Sequence, residues 1–408
     1  MKFCLIGKKL SHSYSETLHK SYGLDYKLFE VAPEDLDGFV KRSEYDGYNV
    51  TIPYKKEIMR YLDEVSPLAK RVGAVNTVVD RDGKKCGYNT DYYGFLGALD
   101  YAGVSVKNKN VLVLGSGGAS NVACVALKDA GAKSVTVVSR SGAVNYENCY
   151  ELSQTEIIVN ATPVGTFPEV EAAPIEIAKF KKLDFLFDLI YNPFKTELIK
   201  KAERLGIGRL NGLCMLVIQA LKAREIWTGT PYSVDDIKNC LKSLKEKTVN
   251  IALCGMPSSG KSTVGRLLSE KLGKEFYDTD EVIFEMTGRT PEEIILSDGE
   301  KAFRDVEEKA VASVCTKRGV VIALGGGAVL REKNREILNA TAFTAWIKRD
   351  LELLDDTDRQ TLKQAGAVDL YKMRAPVYES VSDFSVLNDN LAEDAAKEII
   401  KAYEDFGY

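Results

Sequence analysis

The sequence predicts an α/β protein with parallel sheets, divided into more than one domain. Three observations carry this. Short apolar, strand-like runs alternate with helical patterns along the whole chain, the order that packs helices against parallel strands. Two glycine-rich turns, 115-GSGGAS-120 and 255-GMPSSGKS-262, each lie between such a run and a helical pattern. A chain of 408 residues also exceeds what one hydrophobic core ordinarily organises.

Strands are expected at 2–7, 47–52, 74–79, 111–115, 134–139, 156–161, 184–190, 249–255 and 319–326, and helices over 120–132 and 261–273. The stretch 233-SVDDIKNCLKSLKEK-247 opens on Ser233 as an N-cap with acids behind it, and Ile237, Cys240, Leu241 and Leu244 follow helical spacing. It closes what precedes it, and Val249 opens a new strand, so a boundary is expected near 247. No Pro- or Gly-rich tether lies there, which predicts tightly joined halves.

Apolar residues make up 45% and charged residues 28%, an ordinary globular balance. A net charge of −4 argues against a nucleic-acid partner, which calls for a basic surface. The eight cysteines form no C-x-x-C pair and sit among apolar neighbours, as small hydrophobes in a reducing compartment. With only His12 and His19, a His/Cys zinc site is not expected, and His12 is taken as structural. No apolar run is long enough for a signal core or a membrane span, so a cytoplasmic location is expected.

The first glycine turn follows strand 111–114 as Gly115-x-Gly117-Gly118-Ala119 and opens a helix. That context suits a dinucleotide pyrophosphate, held by close backbone and a helix N-terminus. The next strand ends in Ser139-Arg140-Ser141, where an NAD site would place an acid; a cation flanked by hydroxyls suits the 2′-phosphate of NADP(H). Lys55 follows 49-NVTIP-53 and Asp91 ends 88-YNTD-91. A lysine beside a carboxylate can deliver a proton as hydride reaches a carbonyl.

The pieces 11-SHSYSETLH-19, 49-NVTIPYK-55, 73-GAVNT-77, 89-NTD-91, 115-GSGGAS-120, 160-NATPVG-165, 188-DLIYNP-193 and 212-GLCMLVIQA-220 resemble shikimate dehydrogenase across residues 1–246. The resemblance implies a substrate domain at 1–100, completed by 212–246, and a Rossmann-type NADP-binding domain at 101–211. It implies that Ser13, Ser15, Asn49, Thr51, Asn76, Asp91 and Gln219 hold the substrate and that Lys55 and Asp91 form an acid–base dyad. It further implies that Gly117, Gly118, Ala119, Arg140 and Ser141 bind NADP, with Thr162, Tyr191 and Gly212 nearer the nicotinamide. Ser13 and Ser15 also suit helix capping. One departure is visible: the family has a longer helix and another strand where 141–156 leaves room for a reduced βα excursion.

The second turn satisfies G-x-x-x-x-G-K-[ST], a P-loop. Amides of Gly255, Ser258, Ser259, Gly260 and Thr263 cradle phosphates of ATP, Lys261 balances their charge, and Ser262 faces Mg²⁺. Asp278 and Asp280 of 278-DTD-280 point to one side of an extended segment, one carboxylate for the metal and one for an acceptor hydroxyl. Arg304 and Arg374 are candidates for a carboxylate clamp. Gly325-Gly326-Gly327 lets backbone approach a small ligand.

Residues 248–408 resemble shikimate kinase through 255-GMPSSGKSTVG-265, 278-DTD-280, 287-TGRTPEEI-294, 298-DGEKAFRDVE-307, 324-LGGGAV-329 and 373-MRAPVYESVSDF-384. By that resemblance Ser262 and Asp278 organise Mg²⁺. Asp280, Arg304, Gly326, Gly327 and Arg374 hold shikimate, and Lys261 and Arg359 stabilise the transferring phosphoryl group. The lid around 353–368 departs from the family: it is short, acidic and carries 359-RQTL-362 in place of R-P-L-L. The expectation is a bifunctional enzyme that reduces 3-dehydroshikimate with NADPH and phosphorylates shikimate from MgATP. The alternative is a shikimate/quinate dehydrogenase fused to a weak or nucleotide-sensing kinase-like module. Its partners are expected to be small molecules, with no nucleic acid and no membrane.

Overall fold

The computed structural model describes residues 1–10, 13–42, 44–167, 169–354 and 366–406; His12 and Arg359 lie outside them. The chain divides into two compact units, Met1–Tyr191 with Thr196–Leu244, and Asn192–Lys195 with Lys245–Tyr408. The helix expected at 233–247 runs Val234–Thr248.

The first unit holds two sheets. Strands β1 (Lys2–Gly7), β2 (Asp25–Glu30), β3 (Gly47–Val50), β4 (Glu64–Val65), β5 (Thr77–Arg81) and β6 (Lys84–Tyr88) form one, in the order β2-β1-β3-β5-β6-β4. This sheet is mixed, where parallel strands were expected: β5 runs antiparallel to β3 and β6. The cause is the two-residue turn Asp82-Gly83, both at positive φ (55° and 83°), which sends the chain straight back. Asp80 Oδ1 accepts from Gly83 N at 2.9 Å and fixes that turn. The expected strand at 74–79 therefore starts later, at Thr77, leaving Asn76 just ahead of it.

Strands β7 (Asn110–Leu114), β8 (Ser134–Val138), β9 (Ile157–Asn160), β10 (Phe185–Asp188) and β11 (Gly208–Leu210) form the second sheet, ordered β11-β10-β9-β7-β8 and parallel throughout. The segment between β8 and β9 holds one 3-10 turn, Cys149–Glu151. Cys149 is buried in the same apolar cluster as Leu112, Val138 and Ile158, so the short segment still plugs the core. Among the described residues no strand lies beyond β8, which is the edge of the sheet. Elsewhere in this unit the helices Asp91–Tyr101 and Leu213–Thr228 touch closely: a Cβ at Gly94 would lie 2.7 Å from Met215 O. Burial of Leu213, Val217, Ile218 and Leu221 holds the second helix in place, each side chain contributing about 1.5–3 kcal/mol.

Asp188 closes β10 fully buried. It accepts from Asn160 Nδ2 (2.9 Å), Ile190 N (3.2 Å) and Thr196 Oγ1 (2.6 Å). Burial outweighs these bonds and pushes its carboxyl from 3.8 up to about 6. A folded-state value above the unfolded one means stabilisation that is fully present below pH 3.8 and lost as pH rises through about 6. At 1.36 kcal/mol per pH unit the effect is about 3 kcal/mol. Calorimetry from pH 4 to 7 should show the unfolding midpoint of the native chain falling relative to that of Asp188→Asn, which has no carboxyl to ionise, as pH rises; a constant difference would refute this account.

In the second unit, strands β12 (Asn250–Cys254), β13 (Phe276–Asp278), β14 (Val321–Ala323), β15 (Ala342–Lys348) and β16 (Phe384–Leu387) form a parallel sheet ordered β13-β14-β12-β15-β16. Alternate residues feed separate cores, Ala252 and Ile322 one, Ile251 and Val321 the other, so both faces are covered. β14 stops well short of 326 because the glycines after Leu324 leave the sheet. The C-terminal ends of β12, β13 and β14 deliver the P-loop, Asp278 and Gly325 to one side of the sheet, where ligands of open α/β sheets bind. No helix among the described residues is long and apolar enough to cross a membrane.

Candidate active sites

In the first unit a cavity of about 550 Å³ is walled by Ser13, Ser15, Asn49, Thr51, Lys55, Asn76, Asp91, Ala119, Tyr191, Gly212 and Gln219. Sequence reading had named all of these, scattered over more than 200 positions. Lys55 Nζ pairs with Asp91 Oδ2 at 2.6 Å. Asp91 is the first residue of its helix, where the macrodipole favours a carboxylate. The pair is only partly exposed, 30% and 16%, so its attraction is screened less than a surface pair's.

Several wall residues also hold one another. Asn76 Oδ1 accepts from Thr90 N (2.7 Å) and its Nδ2 donates to Thr90 Oγ1 (3.0 Å), which leaves one amide hydrogen for a ligand. Asn49 is more committed: both amide hydrogens go to Asn76 O and Thr77 Oγ1, while Oδ1 accepts from Tyr26. Gln219 Nε2 donates to Leu216 O at 2.9 Å. Ser13 Oγ accepts from Ser15 N at 3.2 Å. That bond closes the turn ahead of helix Ser15–Lys20, whose N-cap is Tyr14 with no side-chain cap, so the expected capping by these serines is replaced by a turn. Lys9 and Met215 also line the cavity. Sequence reading missed them because a lysine beside Lys8 looks like surface and a methionine in an apolar helix looks like core.

Gly115, Ser139 and Thr162 lie at the C-terminal ends of the neighbouring strands β7, β8 and β9. Gly115 N donates to Val138 O at 2.8 Å. Helix Gly118–Asp129 begins with its N-terminus bare: nothing lies within 4 Å of a Cβ at Gly117 or Gly118. The helix starts two residues earlier than expected, and this open cradle fits a pyrophosphate. Arg140 and Ser141 are exposed just past β8, and no acid follows that strand directly, which fits a 2′-phosphate. Thr162 Oγ1 donates to Asn160 Oδ1 at 2.7 Å.

In the second unit the P-loop runs from β12 into helix Lys261–Leu272, with Gly255, Ser258 and Gly260 at positive φ (148°, 63° and 89°). Alternation of this kind turns successive amides inward as an anion nest. Lys261 Nζ donates to Met256 O (2.7 Å) and Gly255 O (3.2 Å), and so arches over the loop. Ser262 Oγ donates to Asp278 Oδ2 at 2.6 Å, bringing together the hydroxyl and carboxylate expected at Mg²⁺. Asp278 Oδ1 accepts from Asp280 N and caps the helix Thr279–Thr287.

Gly325 N donates to Thr279 Oγ1 at 2.8 Å, tying the triple glycine to 278-DTD-280. A Cβ at Gly325 would lie 3.0 Å from Asp280 Oδ1 and 2.8 Å from Glu307 Oε1; one at Gly327 would strike Arg304. Arg304 is held by Glu307 at 2.7 Å and Glu300 at 3.1 Å. Arg374 is buried, and Tyr378 below it donates to Gly326 O. Glu307 was missed in the sequence. It is buried, its Oε1 has no partner, and burial raises its carboxyl above the usual range against the pull of Arg304. Its three-residue offset from Arg304 on one helix was the available signal.

Residues 257–404 match the shikimate kinase family and residues 5–78 the shikimate dehydrogenase substrate binding domain. The chain is 36% identical over 265 residues to shikimate dehydrogenase (NADP(+)) of Clostridium perfringens, covering 60% of this chain and 98% of that one. It is 39% identical over 243 residues to its counterpart in Clostridium beijerinckii, covering 55% and 90%. Among solved structures it is similar to shikimate dehydrogenase 1 from Peptoclostridium difficile (39% identity, TM-score 0.56, 60% and 98% covered). A chorismate mutase/shikimate 5-dehydrogenase fusion protein from Clostridium acetobutylicum is also similar (38% identity, TM-score 0.57, 60% and 96% covered).

Proposed function

From the premise that the chain belongs to the shikimate dehydrogenase family and carries a shikimate kinase domain behind it, we propose that it catalyses two consecutive reactions on one small acid. The first unit reduces 3-dehydroshikimate to shikimate, and the second phosphorylates the hydroxyl so formed. The observation that supports the first half best is the Lys55–Asp91 pair inside the cavity wall. NADPH, when bound along the C-terminal ends of β7–β9, supplies the hydride. The ammonium of Lys55 gives its proton to the developing alkoxide while Asp91 keeps the lysine aimed. Ser13, Ser15, Thr51 and Gln219 contact ring hydroxyls and the carboxylate. Asn76 adds its one uncommitted N–H, and Asn49 orients Asn76 and Thr77.

In the second unit Arg304 and Arg374 clamp the shikimate carboxylate, with Gly326 and Gly327 close to the ring. Glu307 holds Arg304 in that pose as a positioning residue. Asp280 accepts the proton of the attacking hydroxyl, and Lys261 steadies charge on the phosphates of ATP. Ser262 and Asp278 would hold Mg²⁺, which would supply neutralisation of charge on the phosphates of ATP. The experiment that tests the proposal follows both reactions on the intact chain: NADPH oxidation with 3-dehydroshikimate, and ADP release with shikimate and MgATP. Reduction without ADP release would leave only a dehydrogenase; ADP binding without turnover would favour a nucleotide-sensing second unit.

A further inference from the structure

Arg349 takes no part in the steps above. It directly follows β15, the strand paired in parallel with the P-loop strand β12, and so stands where that sheet presents its ligand side. Its guanidinium Nη1 lies 3.8 Å from where a Cβ would sit on Gly260, the residue that leads into Lys261. Its Nε is buried and has no hydrogen-bond partner. Beside it, Asn388 donates Nδ2 to Ser259 O at 2.9 Å and braces the same part of the loop. The bonds of Lys261 lie at the other end of the loop, on Gly255 O and Met256 O.

A buried guanidinium N–H without an acceptor is costly, and the planar fork of arginine matches phosphate oxygens. We propose that Arg349 is a nucleotide ligand of the second unit, donating to a phosphate of the bound nucleoside triphosphate on the Gly260 side of the P-loop. It complements Lys261, whose contacts lie on Gly255 O and Met256 O, by adding a second cation on the Gly260 side. The proposal rests on the reading of this unit as an ATP-dependent kinase.

The test uses the intact chain with Arg349→Ala and Arg349→Lys, and Lys261→Ala as reference. Calorimetric titration with MgADP and with inorganic tripolyphosphate is compared with the ligand-free unfolding midpoint. One charge-assisted hydrogen bond predicts a loss of about ten-fold or more in affinity for both probes in Arg349→Ala. Arg349→Lys, which keeps the charge, should fall between; it also carries the test if the alanine variant unfolds early. In steady state, KM for ATP should rise while KM for shikimate holds within about two-fold. Unchanged affinity for both probes overturns the proposal. So does weaker MgADP binding with unchanged tripolyphosphate binding, which would place Arg349 against the nucleoside instead. If the native chain binds neither probe, the kinase reading falls and takes this inference with it. If Lys261→Ala weakens binding and Arg349→Ala does not, the inference alone falls.

Discussion

Lys55→Ala lowers the rate of NADPH-dependent reduction of 3-dehydroshikimate by about 10²–10⁴-fold, the range for losing a positioned general acid. The loss should appear in kcat, because proton delivery matters as negative charge develops on the substrate oxygen. Binding of the ground-state ketone depends more on the hydroxyl and amide groups of the wall, so KM should move little. Asp91 lies at a helix N-terminus and is accessible to water, so removing its partner leaves no sealed charge behind and the fold should survive. Kinase turnover of added shikimate serves as the internal control and should be unaffected. Stopped-flow absorbance of NADPH gives the rate; a variant that keeps more than a tenth of the native kcat would remove Lys55 from the proton path.

Lys261→Ala has the complementary effect. Removal of one preorganised donor from a site that stabilises developing charge costs about 10²–10³ in kcat. Here the same substitution withdraws a donor from Gly255 O and Met256 O, both buried. Leaving such carbonyls unmet costs about 1–3 kcal/mol. The second unit should therefore lose thermal stability as well as shikimate-dependent ADP release, while dehydrogenase activity persists. A coupled ADP assay run beside differential scanning calorimetry separates the two effects. Native kinase turnover in this variant would exclude the lysine from phosphoryl transfer.

The sequence was most legible where one local cause dictates the outcome. The strand runs 111–115 and 249–255 are nearly continuous apolar stretches, as two-sided burial requires, and both are found as strands. The P-loop was legible because its spacing is the mechanism. The β5–β6 hairpin was missed although 82-DG-83 is a strong two-residue turn signal, because the strand 84-KKCGY-88 is half polar and sits near a sheet edge. β2, 25-DYKLFE-30, was missed for the same reason. In the cavity wall the residue types were visible but not their commitments. Nothing in 49-NVTIPYK-55 tells that both amide hydrogens of Asn49 are already spent inside the protein. Glu307 and Arg349 escaped because a charged residue in a helix or after a strand normally faces water, and only packing shows that Glu307 and the Nε of Arg349 are buried.

The bare flank of β8 has a bearing on how the protein stays in solution. Its five residues, 134-SVTVV-138, contain no charge and no proline, and among the described residues no strand pairs with its outer side. Such a strip is a template for another chain unless flanking charges discourage stacking. Lys133 and Arg140 bracket it and act as gatekeepers. On the proposed reading of the first unit, Arg140 would therefore answer to two pressures, cofactor choice and colloidal behaviour. A replacement chosen to relax preference for the 2′-phosphate keeps the second function only if it retains a charge: aspartate would, whereas alanine would leave one end of the strip unguarded.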